Sequence, residues 1–198
     1  MKANSIKHTI IGLTSIFLVS LASASELKSD ELNYTTTIPD GWTVTFQNEA
    51  GFSVASSDKK KTLTLLVRKG VSGKLDSDTI AGIERGLLQA GSQKVSSTNF
   101  MVDGIPAYEA IYSVGKAPFA SSFVTFLIIA NGKLYSLQGM HMGGDVTQDS
   151  DIQEALASFH FLQPPKPSAS SRFSLMLAIP GMLLIAGFLF WVVRKRAA

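Results

Sequence analysis

Cysteine is absent from all 198 residues, which removes disulfides, thiolate nucleophiles and cysteine-based metal sites in one step. Charge is sparse, with Asp, Glu, Lys and Arg at 17% of the chain, and residues 173 to 193 carry none at all. The familiar catalytic signatures are missing too. No Gly-x-Ser-x-Gly elbow, no Gly-x-x-x-x-Gly-Lys-Ser/Thr loop, no His pair at i, i+4 and no Asp-x-Asp-x-Asp-Gly loop occurs, so hydrolase triads, phosphate loops and the common metal sites are not encoded locally. A formal net charge of +3 and a pI near 9.1 invite a nucleic-acid reading, but the placement of the charges removes it. Lys2, Lys7, Arg194, Lys195 and Arg196 sit at the extreme ends, while residues 25 to 172 carry 13 Lys or Arg against all 15 Asp and Glu. The body is slightly acidic, and no nucleic-acid partner is expected.

What is present is clearest at the two ends. Lys2 and Lys7 precede an apolar run, Thr9 to Leu21, and then Ala22-Ser23-Ala24. These are the three parts of a secretory signal, with cleavage expected after Ala24. The alternative, an uncleaved anchor, has a run of only about 13 residues for a span that needs about 20. Residues 173 to 193, FSLMLAIPGMLLIAGFLFWVV, are long enough as a helix to cross about 30 Å of hydrocarbon. Pro180-Gly181 is tolerated in such a helix. Trp191 stands near an interface, and Arg194-Lys195-Arg196 keeps that end cytoplasmic by the positive-inside rule. The expected organisation is a signal peptide 1–24, an extracytoplasmic domain 25–162, a Pro/Ser-rich stalk 163–172, a transmembrane helix 173–193 and a basic cytoplasmic tail 194–198. That makes a type I single-pass protein of the inner membrane, with the bilayer as a partner through 173–193 and the body in the periplasm.

The body reads as an α+β domain. Trp42 to Phe46, Thr62 to Val67 and Tyr108 to Val114 alternate as strands do, and Trp42, Val44 and Phe46 are expected on one face. Ser122 to Ala130 is apolar on both parities, which predicts a central strand covered on both sides. Asn131-Gly132 follows it and predicts a tight hairpin to a strand starting at Leu134. Two segments have helical periodicity instead. Residues 76 to 90 place Ile80, Ile83, Leu87 and Leu88 on one face, and residues 149 to 159 place Ile152, Ala155, Leu156 and Phe159 on another. Strands in runs with helices set apart from them argue for an antiparallel sheet rather than a doubly wound nucleotide fold.

Several of these features occur in a recognisable order: an extended segment into IPDGW, an amphipathic helix, Ile-Pro-Ala-Tyr-Glu at 105 to 109, a long hairpin through NGKLYSL, and a last helix ending in Ser158-Phe159-His160-Phe161. Together they make residues 32 to 162 resemble the PsbP/DcrB-like superfamily. The resemblance implies an α-β-α sandwich around an antiparallel sheet, and a binding or assembly role rather than catalysis. It carries over no catalytic residue and no cofactor.

The candidate surface residues come from the polar turns. Lys59, Lys60 and Lys61 follow Asp58 as a hairpin tip, which is either a solvated turn or a contact for an anionic partner. His141 lies in a Gly-rich loop before Asp145, Asp149 and Asp151. These residues are either a cation site with one imidazole or a loop with helix-capping acids. Tyr108, Tyr112, Phe119, Phe123 and Phe126 are either a pocket lining or core. The expected function is a membrane-tethered interaction or assembly module with a protein partner at the membrane surface, using Lys59, Lys60, Lys61, His141, Asp145 and Asp149. The alternative is a hydrolase or metal-dependent enzyme with a scattered site near His141.

Overall fold

The computed structural model describes residues 25–115 and 120–168. The segments read as signal peptide, transmembrane helix and cytoplasmic tail, together with the last residues of the stalk and Phe119, lie outside the described residues. Among the described residues, no helix is long and apolar enough to cross a membrane. The chain runs through strands β1 (Ser25–Ser29), β2 (Tyr34–Ile38), β3 (Thr43–Asn48), β4 (Gly51–Ala55) and β5 (Lys61–Lys69), then helix α1 (Ser77–Gln89). Strands β6 (Ser92–Val102), β7 (Ile105–Val114), β8 (Ser121–Ala130) and β9 (Lys133–His141) follow, then a 3-10 turn at Val146–Gln148 and helix α2 (Ser150–Ala157). The sheet order is β3-β4-β5-β9-β8-β7-β6, antiparallel throughout, with β1 and β2 as a separate hairpin.

The apolar run in β8 has the expected consequence. Its even positions, Val124, Phe126, Ile128 and Ala130, belong to the larger core, while Phe123 and Leu127 belong to a second core on the opposite face. A strand buried on both sides needs apolar residues at every position, and β8 lies inside the sheet between β9 and β7. The hairpin that follows is equally direct. Asn131 and Gly132 adopt φ of 55° and 68°, the left-handed conformation that a two-residue hairpin of the right twist demands.

The helices close the two faces. Ile83 and Leu87 of α1 pack on Tyr108, Tyr112, Phe123 and Leu127, whereas Ile152, Ala155 and Leu156 of α2 join the core on the other side. Asp76 caps α1 by accepting from Thr79 N at 2.9 Å, which satisfies one of the free amides of the first turn. The aromatic set resolves as core, since Tyr108, Tyr112, Phe123 and Phe126 are all buried. Gly139 lets β9 and α2 meet closely, because a Cβ there would overlap the Ile152 side chain.

Three details differ from the sequence reading. Leu88 is 49% exposed, because at about 100° per residue it falls well outside the arc shared by Ile80, Ile83 and Leu87. Val44 and Phe46 do not share a face. Register shifts between them, so that Val44 opposes Val54 and Phe46 opposes Ser53, and one extra residue in a strand turns every later side chain over. The segment before IPDGW is a hairpin rather than a simple extended lead. Leu27, Leu32, Tyr34 and Ile38 enter the larger core, Thr35 bridges to His160, and Thr36 Oγ1 donates to Ala155 O at 3.0 Å.

Candidate functional site

The lysine tip and the histidine loop, far apart in sequence, meet at one end of the sheet. Lys61 opens β5 and His141 closes β9, and the two are direct cross-strand partners. Met142 N donates to Lys60 O at 2.8 Å, which ties the loop to the tip. Lys59 takes φ of 58° in a turn that Asp58 stabilises, its carboxylate accepting from Lys60 N at 3.0 Å and from Ser56 Oγ at 2.6 Å. These two hydrogen bonds, the Ser56 hydroxyl's first, hold the Asp58 carboxyl below its ordinary range. Lys59 and Lys60 are both exposed.

Lys61 behaves differently from its neighbours. Its Nζ lies 3.0 Å from Asp149 Oδ2 and 2.9 Å from Asp151 Oδ2. The hydrogen bond to Asp151, followed by that to Asp149, outweighs the effect of burial and raises the Lys61 pKa. Asp149 is the buried member, with its side chain only 2% exposed. It also caps α2, accepting from Ile152 N at 3.3 Å. His141 Nδ1 sits 2.9 Å from Asp149 Oδ2, yet the atoms are not aligned for a hydrogen bond, so the contact is one of proximity. The ring rests on Gly144, where a Cβ would overlap it.

Asp145 has a separate task. It accepts from Thr147 N at 2.9 Å and from Thr147 Oγ1 at 2.8 Å, capping the 3-10 turn. Those hydrogen bonds, with a smaller contribution from His141, hold its carboxyl below the usual range. The structure therefore brings Lys61, His141 and Asp149 together and leaves Asp145 as a local cap, with Lys59 and Lys60 as the exposed cations beside them. The ammonium of Lys61 occupies the place between Asp149 and Asp151 where a cation would be sought. Among the described residues, no group of three or more His, Asp or Glu is arranged to hold a metal ion. Asp151 is the member that the sequence reading left out of the candidate surface. Its signal was the spacing from Asp149, which puts one carboxylate at the N-cap and the other in the first turn of one helix.

The opposite end of the sheet holds the chain where it leaves the body. Residues 163 to 168 lie against two asparagines in the left-handed conformation, Asn33 at φ 57° and Asn131 at φ 55°. Asn33 Nδ2 donates to Gln163 O at 3.1 Å, and Asn33 Oδ1 accepts from Gln163 N at 2.8 Å. Asn131 accepts from Lys166 N at 2.8 Å through Oδ1, and its own N–H donates to Lys166 O at 2.9 Å. Gly132 N donates to Ser168 Oγ at 3.1 Å. The start of the Pro/Ser-rich segment is thus hydrogen-bonded, through Gln163, Lys166 and Ser168, to the β8–β9 hairpin and the β1–β2 turn.

No family model and no curated protein matches the chain. Solved structures of similar shape include one from Bacteroides thetaiotaomicron, with a TM-score of 0.48 and 11% identity over 71% of this chain and 49% of that one. LpqN of Mycobacterium tuberculosis, described as involved in cell envelope biogenesis, has a TM-score of 0.45 and 13% identity over 69% of this chain and 84% of its own. A Pseudomonas aeruginosa protein of unknown function, PA94, has a TM-score of 0.41 and 10% identity over 68% of this chain and 94% of its own. The chain spans about half the length of the Bacteroides structure it matches. These likenesses assign neither a family nor an activity.

Proposed function

We propose that the chain is a membrane-tethered, extracytoplasmic interaction or assembly module rather than an enzyme, and that it meets its partner with the end of the sheet formed by Lys59, Lys60 and the 141–149 loop. The observation that supports this reading is the fastening of residues 163 to 168 at the opposite end. Strand β5 separates the two ends by roughly 27 Å at about 3.4 Å per residue. With an anchor at 173 to 193, the Asn131 end faces the bilayer and the Lys59–Lys60 end faces away from it. A partner would then find two free cations beside a structured loop, at the part of the body least screened by the membrane. Lys61, His141 and Asp149 hold that end in shape, and Lys59 and Lys60 make the contact.

The test is site-specific photocrosslinking in cells from position 57, an exposed turn residue beside the two lysines, and, as a comparison, from position 74. The expected result is a discrete protein adduct from position 57 that is lost when Lys59 and Lys60 are replaced by Ser. The same adduct from both positions, or one that survives the double replacement, would overturn the assignment of that end. The tether is tested separately, by a reporter fused after Ala198 that must behave as cytoplasmic.

A further inference from the structure

Neither helix covers the whole of its face. On the side that carries α2, the positions beyond β8 are Ser96, Thr98 and Phe100 on β6 and Glu109, Ile111 and Ser113 on β7. Glu109 is the one charged side chain among them. It stands directly across from Phe126 on β8 and Thr98 on β6, in the same row of side chains as Ala107 and Ile111, which face the larger core. The carboxylate is half-buried and has no hydrogen-bond or ion-pair partner among the described residues. Burial alone raises its pKa.

A half-buried carboxylate without a cation costs stability, so folding does not account for Glu109. Sites that lower stability without a compensating contact are where function is to be sought. The surroundings fit an extended ligand. Strand β6 is the last in the sheet, so its outer backbone groups are open to a further strand. Phe100 on it packs edge-on against Phe126 at 4.8 Å between centroids, which leaves an apolar surface beside Glu109. We propose that this half-face docks an extended segment of a partner protein, which presents a lysine or arginine to Glu109 and apolar side chains to Phe100 and Ile111. Charge complementarity selects this occupant, because among the described residues the one charge on this half-face is negative and unpaired. The inference rests on reading the body as an interaction module, but not on its tether or on the Lys59–Lys60 end.

The probe is the peptide acetyl-Val-Thr-Arg-Thr-Val-amide, titrated into the intact isotope-labelled chain, against the same peptide with neutral citrulline in place of Arg. Expected are saturable shifts confined to residues 96–100 and 109–113, with affinity weaker by about tenfold or more for the citrulline peptide and for Glu109→Gln, the size of a lost charged hydrogen bond. Equal affinity for both peptides, or shifts centred on Lys59 and Lys60, would overturn it. A dimer that Glu109→Gln abolishes would do so as well, because the occupant would then be a second copy. Melting gives an independent reading. A carboxylate whose folded pKa is raised favours folding below its unfolded value, and that contribution is lost as pH rises through the folded value. Glu109→Gln should therefore melt no lower than the wild type near neutral pH, with its advantage growing from acid to neutral. A drop of more than about 2 °C would make Glu109 a structural residue and sink the proposal.

Discussion

Strand β5 begins and ends on a lysine, and both make ion pairs. Lys69 Nζ lies 2.6 Å from Glu31 Oε1, with the side chains 49% and 62% exposed, whereas Lys61 Nζ lies 3.0 Å from an Asp149 carboxylate that is 2% exposed. The shorter contact is the weaker link. In water the Coulomb energy of an exposed pair is screened and its ordering entropy nearly cancels it, while a buried carboxylate stripped of its cation is left with an uncompensated charge. One end of the sheet is thus closed by charge around Asp149. The other is closed by neutral amide-to-backbone bonds from Asn33 and Asn131 and by Tyr135 Oη donating to Leu32 O at 2.8 Å. The first should respond to charge-changing substitutions, and the second to substitutions that change backbone conformation.

The largest effect is expected at Asp149. Asp149→Ala removes the cap of α2 and leaves Lys61 and His141 without their buried partner, so urea denaturation should show a loss of about 3–5 kcal/mol. Asp149→Asn keeps a capping oxygen and discards the charge, and should fall between the variant and the wild type. If Asn were as costly as Ala, capping would contribute nothing and the closure of this end would be wholly ionic.

The Asn131 end should answer to conformation instead. Asn131→Ala leaves a Cβ at φ 55° without the short polar side chain that makes Asn tolerant of the left-handed region, which costs up to about 1–2 kcal/mol, and also removes the hydrogen bond to Lys166 N, worth about 1 kcal/mol. Asn131→Gly removes only the second of these, so it should be the milder variant even though it deletes more atoms. Amide exchange at Lys166 should quicken in both. A glycine variant as unstable as the alanine one would show that strain has no part in holding this end.

Most of the sheet was legible because its residues answer to local rules. Apolar residues on both parities marked β8, Asn131-Gly132 marked its turn, and Ile152, Ala155 and Leu156 marked the buried face of α2, although the helix stops at Ala157 and Phe159 enters the core just beyond it. What stayed hidden was decided between segments. The bulge that parts Val44 from Phe46 leaves no mark on an alternating pattern, and the β1–β2 hairpin, SELKS to YTTTI, is too polar to announce a strand pair. The candidate site was half legible. Lys59 to Lys61 and His141 to Asp149 could each be picked out as polar turns, but only the β5–β9 register makes Lys61 and His141 neighbours. Nothing local distinguishes Lys61, which is structural, from Lys60, which is free.

The smallest effect tests the comparison most sharply, because it predicts almost nothing from the shortest distance. Lys69→Ser removes the 2.6 Å contact with Glu31 and should leave the melting temperature unchanged within error, since pairs this exposed frequently contribute nothing measurable. Lys61→Ser, at the other end of the same strand, should lower it clearly, because Asp149 is then left buried with only the misaligned imidazole of His141 beside it. Raising ionic strength should narrow the first difference further, since salt screens exposed charges much more than buried ones, and should leave the second largely intact. Equal losses for the two lysines would mean that distance, not burial, sets the strength of these contacts, and the division of the sheet into a charged end and a neutral end would have to be given up.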